Sequence, residues 1–235
     1  MNTSAAPTSG DIHLTAGDGF KLRAYRALPS VPTRGGIVVL HEIFGLNAHI
    51  REVCEGYARQ GYLALAPALF DRAQRGVELA YGPAEVEQGR LLRAAIEWDA
   101  SLNDVQAAID NVADGGTAGV IGYCWGGTLA FLAATRLSHV ACAVSYYGGQ
   151  TVPFAAETVR VPMLMHFGDQ DPRIPEADIE AVWRHNPQIE IHRHPADHGF
   201  NCDHRKEFHA PSAERALAQT LEFLSRSLRS GAVGT

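Results

Sequence analysis

The sequence predicts an α/β fold with a mostly parallel central sheet and helices on both faces. Short, continuously apolar strands alternate with helical segments, an order typical of parallel sheets covered on both sides. Reactive residues follow several strands, where such sheets place their binding sites. The chain has 235 residues, 46% hydrophobic and 20% charged, which predicts a single domain over residues 1–235. Residues 1–10 and 230–235 are expected to be flexible.

The first half of the chain is predicted to begin with a hairpin and two buried strands. Weak polar–apolar alternation around a Gly-Asp-Gly turn predicts an antiparallel hairpin at residues 11–26. Apolar runs predict strands at residues 36–40 and 62–66. Between these strands, Asn47 is placed to cap a helix. The apolar side of that helix is formed by Ile50, Val53, Cys54, Tyr57 and Ala58.

The same alternation continues through the second half. Residues 84–112 are helical, and the segment that starts at Ser101 resembles a capping box, which predicts a break there. Further strands are predicted at residues 118–123, 140–146, 162–167 and 188–194. Helices are predicted at residues 125–137, at residues 175–183 and from Pro211 onward. The last helix is expected to present one apolar stripe of Leu217, Leu221, Leu224 and Leu228.

Composition excludes several classes of protein. The net charge is −6, with 20 basic and 26 acidic residues, which argues against a nucleic-acid partner or an anionic membrane surface. No signal peptide is recognisable, and no apolar run reaches the ~20 residues of a membrane span. Four cysteines in a chain of this length do not indicate a disulfide framework. We therefore expect a cytoplasmic protein, monomeric or homodimeric, without a membrane partner.

The strongest motif lies where the strand at residues 118–123 meets the next helix. Residues 122–127 read Gly-Tyr-Cys-Trp-Gly-Gly, which has the form of a nucleophile elbow with Cys124 at the nucleophile position. A sharp turn strains that residue, and small neighbours at Gly122 and Gly126 relieve the crowding. The helix N-terminus favours a thiolate and an oxyanion. The alternative is a structural cysteine beside a glycine-rich helix contact.

An acid and a base follow later strands. Asp169 and Asp171 come after the strand at residues 162–167, and either could orient a histidine or simply cap the next helix. His198 follows the last strand and precedes the final helix. Nucleophile, acid and base then occur in the chain order of an α/β-hydrolase. This order predicts that Cys124, one of the two aspartates and His198 act together.

A carboxylate occupies the loop after the strand at residues 36–40. Glu42 lies too far before Asn47 to serve the first helical turn, so a capping role fits poorly. In hydrolases of this architecture the same loop provides an N–H group of the oxyanion hole. A carboxylate near a thiol could also accept its proton.

Together, residues 41–47, 122–127, 168–171 and 198–200 resemble the dienelactone hydrolase family, the carboxymethylenebutenolidases. The similarity extends from about Lys21 to Leu228. The resemblance implies an α/β-hydrolase fold without a lid domain. It also implies an enzyme that hydrolyses small lactones or enol and carboxylic esters through an acyl-enzyme intermediate, and it implies no cofactor.

The resemblance also assigns roles to individual residues. Cys124 is the nucleophile, His198 the base, and Asp171 rather than Asp169 its partner. Glu42 is an activating carboxylate: the resting thiol lies near it, and substrate binding shifts the carboxylate so that it takes the thiol proton. The oxyanion hole is formed by the backbone N–H groups of Ile43 and Trp125.

The sequence departs from the best-known members of that family at their carboxylate-binding residues. Gly199 follows the histidine where those members carry serine, and Asn201 and Cys202 occupy the region of an expected arginine. Arg90 and Arg93 correspond only loosely to the second arginine. The natural substrate therefore stays open.

Other functional readings carry less weight. Residues 192–209 hold five histidines, and His192, His194 and Cys202 could be imagined as zinc ligands, but their spacing matches no structural zinc motif, so we predict no metal. Cys54 and Cys142 are expected in the core, whereas Cys202 is expected to be a second reactive thiol. The motif at Tyr146 and Tyr147 could line a cleft or be core. A non-hydrolytic ligand-binding protein and a thiol-redox protein are the alternative functions.

Overall fold

The computed structural model describes residues 8–113 and 116–228, which form a sheet of eight strands with helices packed on it. The strands are β1 (Thr8–Thr15), β2 (Lys21–Leu28), β3 (Gly36–Leu40), β4 (Leu63–Pro67), β5 (Ala118–Tyr123), β6 (Val140–Tyr146), β7 (Met163–Gly168) and β8 (Glu190–His194). The helices are α1 (Ala48–Arg59), α2 (Pro83–Ala94), α3 (Trp98–Ala113), α4 (Trp125–Arg136), α5 (Glu176–His185) and α6 (Ala210–Ser227).

The strand order is β1-β2-β4-β3-β5-β6-β7-β8. β1 pairs antiparallel with β2, and β2 pairs antiparallel with β4, while the remaining neighbours are parallel. The hairpin prediction is therefore confirmed. β1 begins earlier than expected, because residues 8–10, assigned from the sequence to a flexible terminus, pair with β2. The rest of that assignment, residues 1–7 and 230–235, lies outside the described residues.

Two glycines show that helices cover both faces of the sheet. A side chain on Gly36 of β3 would meet Val112 of α3, and one on Gly119 of β5 would meet Leu224 of α6. Gly119 pairs with Ile37, the residue that follows Gly36. Successive residues of a strand point to opposite faces, so α3 and α6 lie on opposite sides. The predicted mostly parallel sheet with helices on both faces is confirmed.

Two details of the predicted helices are wrong. The long helical region breaks between α2 and α3 rather than at Ser101, which is buried inside α3 and donates a hydrogen bond to the carbonyl of Glu97. Asp104, the other end of the supposed capping box, pairs instead with Arg72. In α6 the leucine stripe is only partly the buried face: Leu224 is buried and Leu221 and Leu228 pack against the core, but Leu217 is 40% exposed. The buried residues of the helix are Ser212, Ala216, Thr220, Phe223, Leu224 and Ser227.

The chain order creates a crevice between β3 and β5. The connection from β3 leads to β4 on one side, while β5 pairs on the other side of β3. Such a switch in direction opens a crevice at the carboxyl ends of the two strands. The loop with Glu42 and the elbow with Cys124 start at these ends. No helix of the described segments is long and apolar enough to cross a lipid bilayer.

Candidate active site

Cys124 lies on a strained turn between β5 and α4. Its backbone has φ 54° and ψ −112°, a left-handed conformation that costs a non-glycine residue about 1–3 kcal/mol. A Cβ atom on Gly122 would lie 1.8 Å from the carbonyl oxygen of Gly126, and one on Gly126 would lie 2.2 Å from the carbonyl oxygen of Leu40. The turn therefore requires glycine at both positions, for the steric reason that the sequence suggested.

The structure brings three predicted residues into one hydrogen-bonded chain. The Sγ atom of Cys124 lies 3.2 Å from Nε2 of His198, whose Nδ1 lies 2.7 Å from Oδ2 of Asp171. His198 and Asp171 are buried, while Cys124 is half-buried and reachable. Asp169 takes no part, because its carboxylate accepts a hydrogen bond from Arg193 and is 48% exposed. Of the two aspartates that the residues left open, Asp171 contacts the histidine.

Neighbouring groups fix the orientation of the pair. The second oxygen of Asp171 accepts a hydrogen bond of 2.8 Å from the backbone N–H of Arg173. Tyr147 lies with its ring centroid 5.1 Å from that of His198. Gly199 has φ +81°, a conformation open to glycine that turns the chain immediately after the histidine. Backbone and packing together therefore hold the imidazole between thiol and carboxylate.

The surroundings of His198 favour its protonated form. Burial by itself would lower the pKa of His198, but the negative charge of Cys124 and the hydrogen bonds with Asp171 and Cys124 outweigh burial and raise this pKa to about 10. An imidazolium at this place stabilises a neighbouring thiolate, which is the nucleophilic form of cysteine.

Glu42 is buried and engaged by an arginine. It is 2% exposed, and its Oε1 accepts a hydrogen bond of 3.1 Å from Nη1 of Arg205. Its Oε2 has no hydrogen-bond partner in the described part of the chain. The Cys124 thiol, which the resemblance implies to rest near Glu42, hydrogen-bonds with His198. The negative charge of the Glu42 carboxylate is balanced by the guanidinium of Arg205.

A cavity of about 490 Å³ opens onto the thiol, within the ordinary range for small-molecule sites. Ile43 and Trp125, the two predicted oxyanion-hole residues, lie in its wall beside Cys124. Trp125 is the first residue of α4, so its N–H has no acceptor within the helix. The other lining residues are Phe44, Val86, Arg90, Arg93, Ala94, Gly149, Gln150, Arg173, His198 and Arg205.

Sequence reasoning missed two arginines of this cavity. The arginine was expected a few residues after His198, in the region of Asn201 and Cys202, but Arg205 reaches the site from slightly further along the same loop, with a side chain only 7% exposed. Arg173 follows Asp171 closely and also lines the wall. Their proximity in sequence to the acid and the base was the signal available. Arg90 and Arg93, considered only loose matches, do reach the cavity.

The remaining thiols and histidines have structural surroundings. Cys202 is fully buried, and burial raises the pKa of its thiol to about 12, so the expectation of a second reactive thiol is wrong. Cys54 and Cys142 are buried, as predicted.

The residues considered as zinc ligands do not come together: His194 hydrogen-bonds with His166, and His192 hydrogen-bonds with Gln219. Tyr146 and Tyr147 are both buried.

A different set of side chains has the composition of a metal site. Among the described residues, one group of potential ligands comes together, at the surface and outside the cavity wall. It consists of His49, Glu52, Asp203 and His204.

Comparison with known proteins agrees with this geometry. The model of the dienelactone hydrolase family matches residues 22–228. The chain belongs to this family. A Synechocystis protein named as a carboxymethylenebutenolidase is 34% identical over 214 residues, covering 82% of this chain and 86% of its own. Carboxymethylenebutenolidase 1 of Cupriavidus pinatubonensis is 30% identical over 228 residues, covering 92% and 97%.

A solved structure shares the fold. A Klebsiella pneumoniae protein, whose name places it with the dienelactone hydrolases, superposes with a TM-score of 0.83 at 27% identity, covering 94% of this chain and 99% of its own. The predicted α/β-hydrolase fold is thereby confirmed. The protein is a dienelactone hydrolase-type enzyme, and hydrolases of this family act on small molecules.

Proposed function

We propose that this hydrolase cleaves small lactones or enol and carboxylic esters by covalent catalysis, with Cys124 as the nucleophile. The observation that carries the proposal is the contact of 3.2 Å between Sγ of Cys124 and Nε2 of His198, and the raised pKa of His198 agrees with it. The position of the thiol on a strained elbow, open to the cavity, supports it. A thiolate paired with an imidazolium is an activated nucleophile.

In the first half of the reaction, the thiolate of Cys124 attacks the acyl carbon. The N–H groups of Ile43 and Trp125 stabilise the oxyanion, each donor lowering the barrier by about 3–4 kcal/mol. His198 gives its Nε2 proton to the departing oxygen, so the C–O bond breaks without releasing a free alkoxide. The products of this half are a thioester and a neutral imidazole. For a lactone, the departing oxygen stays attached to the acyl group.

In the second half, the neutral imidazole of His198 acts as a base. Acylation removes the negative charge of Cys124, which is a major cause of the raised pKa of His198. Its pKa therefore falls, and the imidazole accepts a proton from water while the hydroxide attacks the thioester. Asp171 accepts the Nδ1–H hydrogen bond throughout. Expulsion of the acid restores the thiolate and the imidazolium.

The cavity favours a substrate with negative charge. Four arginines line it, and the lining residues in the described part of the chain include no carboxylate. A positively charged wall attracts anions and holds carboxylates by hydrogen bonds. A small ester or lactone that carries a carboxylate fits these surroundings. The lining arginines are Arg90, Arg93, Arg173 and Arg205.

Trapping the acyl-enzyme tests the proposal. After the protein is mixed with a p-nitrophenyl ester and quenched in acid, we expect the acyl mass on the peptide that contains Cys124. An unmodified or merely oxidised Cys124 in protein that is turning the ester over would contradict covalent catalysis. Sulfenic acid without ester turnover would instead support the thiol-redox alternative. An intact ester and an unmodified thiol would support the ligand-binding alternative.

We propose further that, where the Cys124 thiol is still protonated when substrate binds, Glu42 shifts toward it and accepts that proton, which gives the same thiolate. Glu42→Gln keeps the shape but removes the charge, and the acylation rate is expected to fall on the order of 10²-fold, measured as the burst of nitrophenolate. Glu207→Gln is the matched control, because Glu207 also pairs with Arg205, at 3.3 Å. We expect this control to keep the acylation rate. If Glu42→Gln acylates as fast as the unmodified protein, Glu42 has only a structural role.

A further inference from the structure

Four metal-ligating side chains meet at the surface where α1 touches the loop between β8 and α6. His49 and Glu52 lie three residues apart on α1, so they share one helix face. Asp203 and His204 belong to the loop. One potential ligand atom from each residue lies within 4.8 Å of the other three. Neither the proposed reaction nor the sequence assigns these residues a task.

We propose that these four side chains, here called the surface cluster, bind one divalent transition-metal ion of the Zn²⁺ type. The donor set is two imidazoles and two carboxylates, which suits zinc and its neighbours rather than Mg²⁺ or Ca²⁺, whose ligands are oxygen atoms. The two carboxylates also balance the charge of the ion. Tetrahedral zinc places its ligand atoms about 3.3–3.6 Å apart, given bonds of about 2.0–2.2 Å.

The side chains are already near this spacing. Nδ1 of His49 lies 3.1 Å from Oδ1 of Asp203, and Nε2 of His204 lies 2.8 Å from Oε2 of Glu52. The same nitrogen of His204 lies 3.9 Å from Oδ1 of Asp203. An ion at the centre would replace these hydrogen bonds by shifting side chains by about an ångström.

Burial divides the surface cluster in a way that suits ion binding. His49 is 4% exposed, so the surrounding protein holds its imidazole in place beside the other three side chains. The other three side chains reach solvent, with exposures of 55% for Glu52, 58% for Asp203 and 35% for His204. An ion can therefore enter directly from solution.

The surface cluster connects the two segments that carry catalytic candidates. α1 follows the loop of Glu42, and the loop of Asp203 and His204 runs between His198 and Arg205. A bound ion would tie the helix to this loop at a distance from the thiol. The ion is therefore expected to stabilise the folded protein without entering the reaction.

Calorimetric titration of the metal-stripped protein with Zn²⁺ tests the site. To exclude binding at the active-site thiol, the titration is done in a Cys124→Ala background as well as in the unmodified chain. We expect one ion per chain in both, a rise in melting temperature that saturates at one equivalent, and no binding of Mg²⁺. Glu52→Gln and His204→Asn are each expected to weaken Zn²⁺ binding at least tenfold. Both side chains are exposed, so neither change threatens the fold.

His139→Asn is the matched control, because His139 forms an exposed pair with Asp110, at 3.1 Å, and belongs to no larger group of ligands among the described residues. It is expected to leave Zn²⁺ affinity unchanged. Equal affinity in His204→Asn and in the unmodified chain would overturn the proposal, as would the absence of a saturable site. Co²⁺ gives an independent readout: a sulfur-to-cobalt charge-transfer band in the Cys124→Ala background would place the ion at a cysteine and also overturn it.

Discussion

Replacing Cys124 by alanine is expected to lower the turnover of esters and lactones by about 10⁴-fold or more, because removing the proposed nucleophile leaves only substrate binding and oxyanion stabilisation. The fold is expected to persist, since the Cys124 side chain is only half-buried and its thiol contacts the side chain of His198 rather than the backbone of the sheet. Steady-state rates with a p-nitrophenyl ester and a small lactone measure the effect, and circular dichroism checks the fold.

Cys202→Ala is the control for this substitution. Cys202 is buried in the loop that carries His198, and its thiol has a pKa of about 12, so it is protonated and inert at neutral pH. We expect this variant to retain most of its activity. If Cys124→Ala kept full turnover, the nucleophile would have to be another group and the proposed mechanism would be wrong.

Asp171→Asn is expected to lower kcat by about 10²–10⁴-fold, since an amide orients the imidazole poorly and no longer stabilises its charged form. The hydrogen bond with Asp171 is one cause of the raised pKa of His198. Without it, this pKa falls from about 10 towards its ordinary value, and the imidazolium loses its proton at lower pH. The decline of kcat/KM on the alkaline side is therefore expected to begin at lower pH than in the unmodified enzyme.

The matched control is Asp169→Asn, two positions earlier. Asp169 is exposed and pairs with Arg193, so its variant is expected to keep both the rate and the pH profile. A merely structural role for Asp171 would lower the amount of folded enzyme without moving the alkaline limit. The reverse pattern, with Asp169→Asn impaired and Asp171→Asn normal, would assign the acid to the other residue.

The strands, helices and turns of this fold could be predicted from the sequence wherever one local rule determines the structure. The strand at residues 118–123 has the predicted bounds, because a continuous apolar run between two turns leaves little choice. Asn47 caps α1 as predicted, with its side chain accepting from the N–H of Ile50. The elbow was recognisable because the glycines that its sterics demand are adjacent in the chain.

The errors concern environments that distant residues create. The leucine spacing in α6 favoured Leu217 as a buried position, but the helix buries the face that carries Thr220 and Phe223. The polar neighbours of Cys202 indicated an exposed thiol, yet the loop folds over it and excludes water. Ser101 fitted a capping pattern, but the helix had already begun at Trp98. A local sequence pattern carries no information about the surfaces against which a segment packs.

The sequence by itself determined the alternation of strands and helices, the elbow around Cys124 and the placement of the reactive loops at strand ends, because these depend on neighbours within a few residues. Only the tertiary structure decided which aspartate contacts His198, which cation engages Glu42 and which thiols are shielded from water. Those outcomes depend on distances of a few ångströms between segments far apart in the chain. Hydrogen bonds and charge interactions in a buried site are decided by such distances, and no spacing along the sequence specifies them.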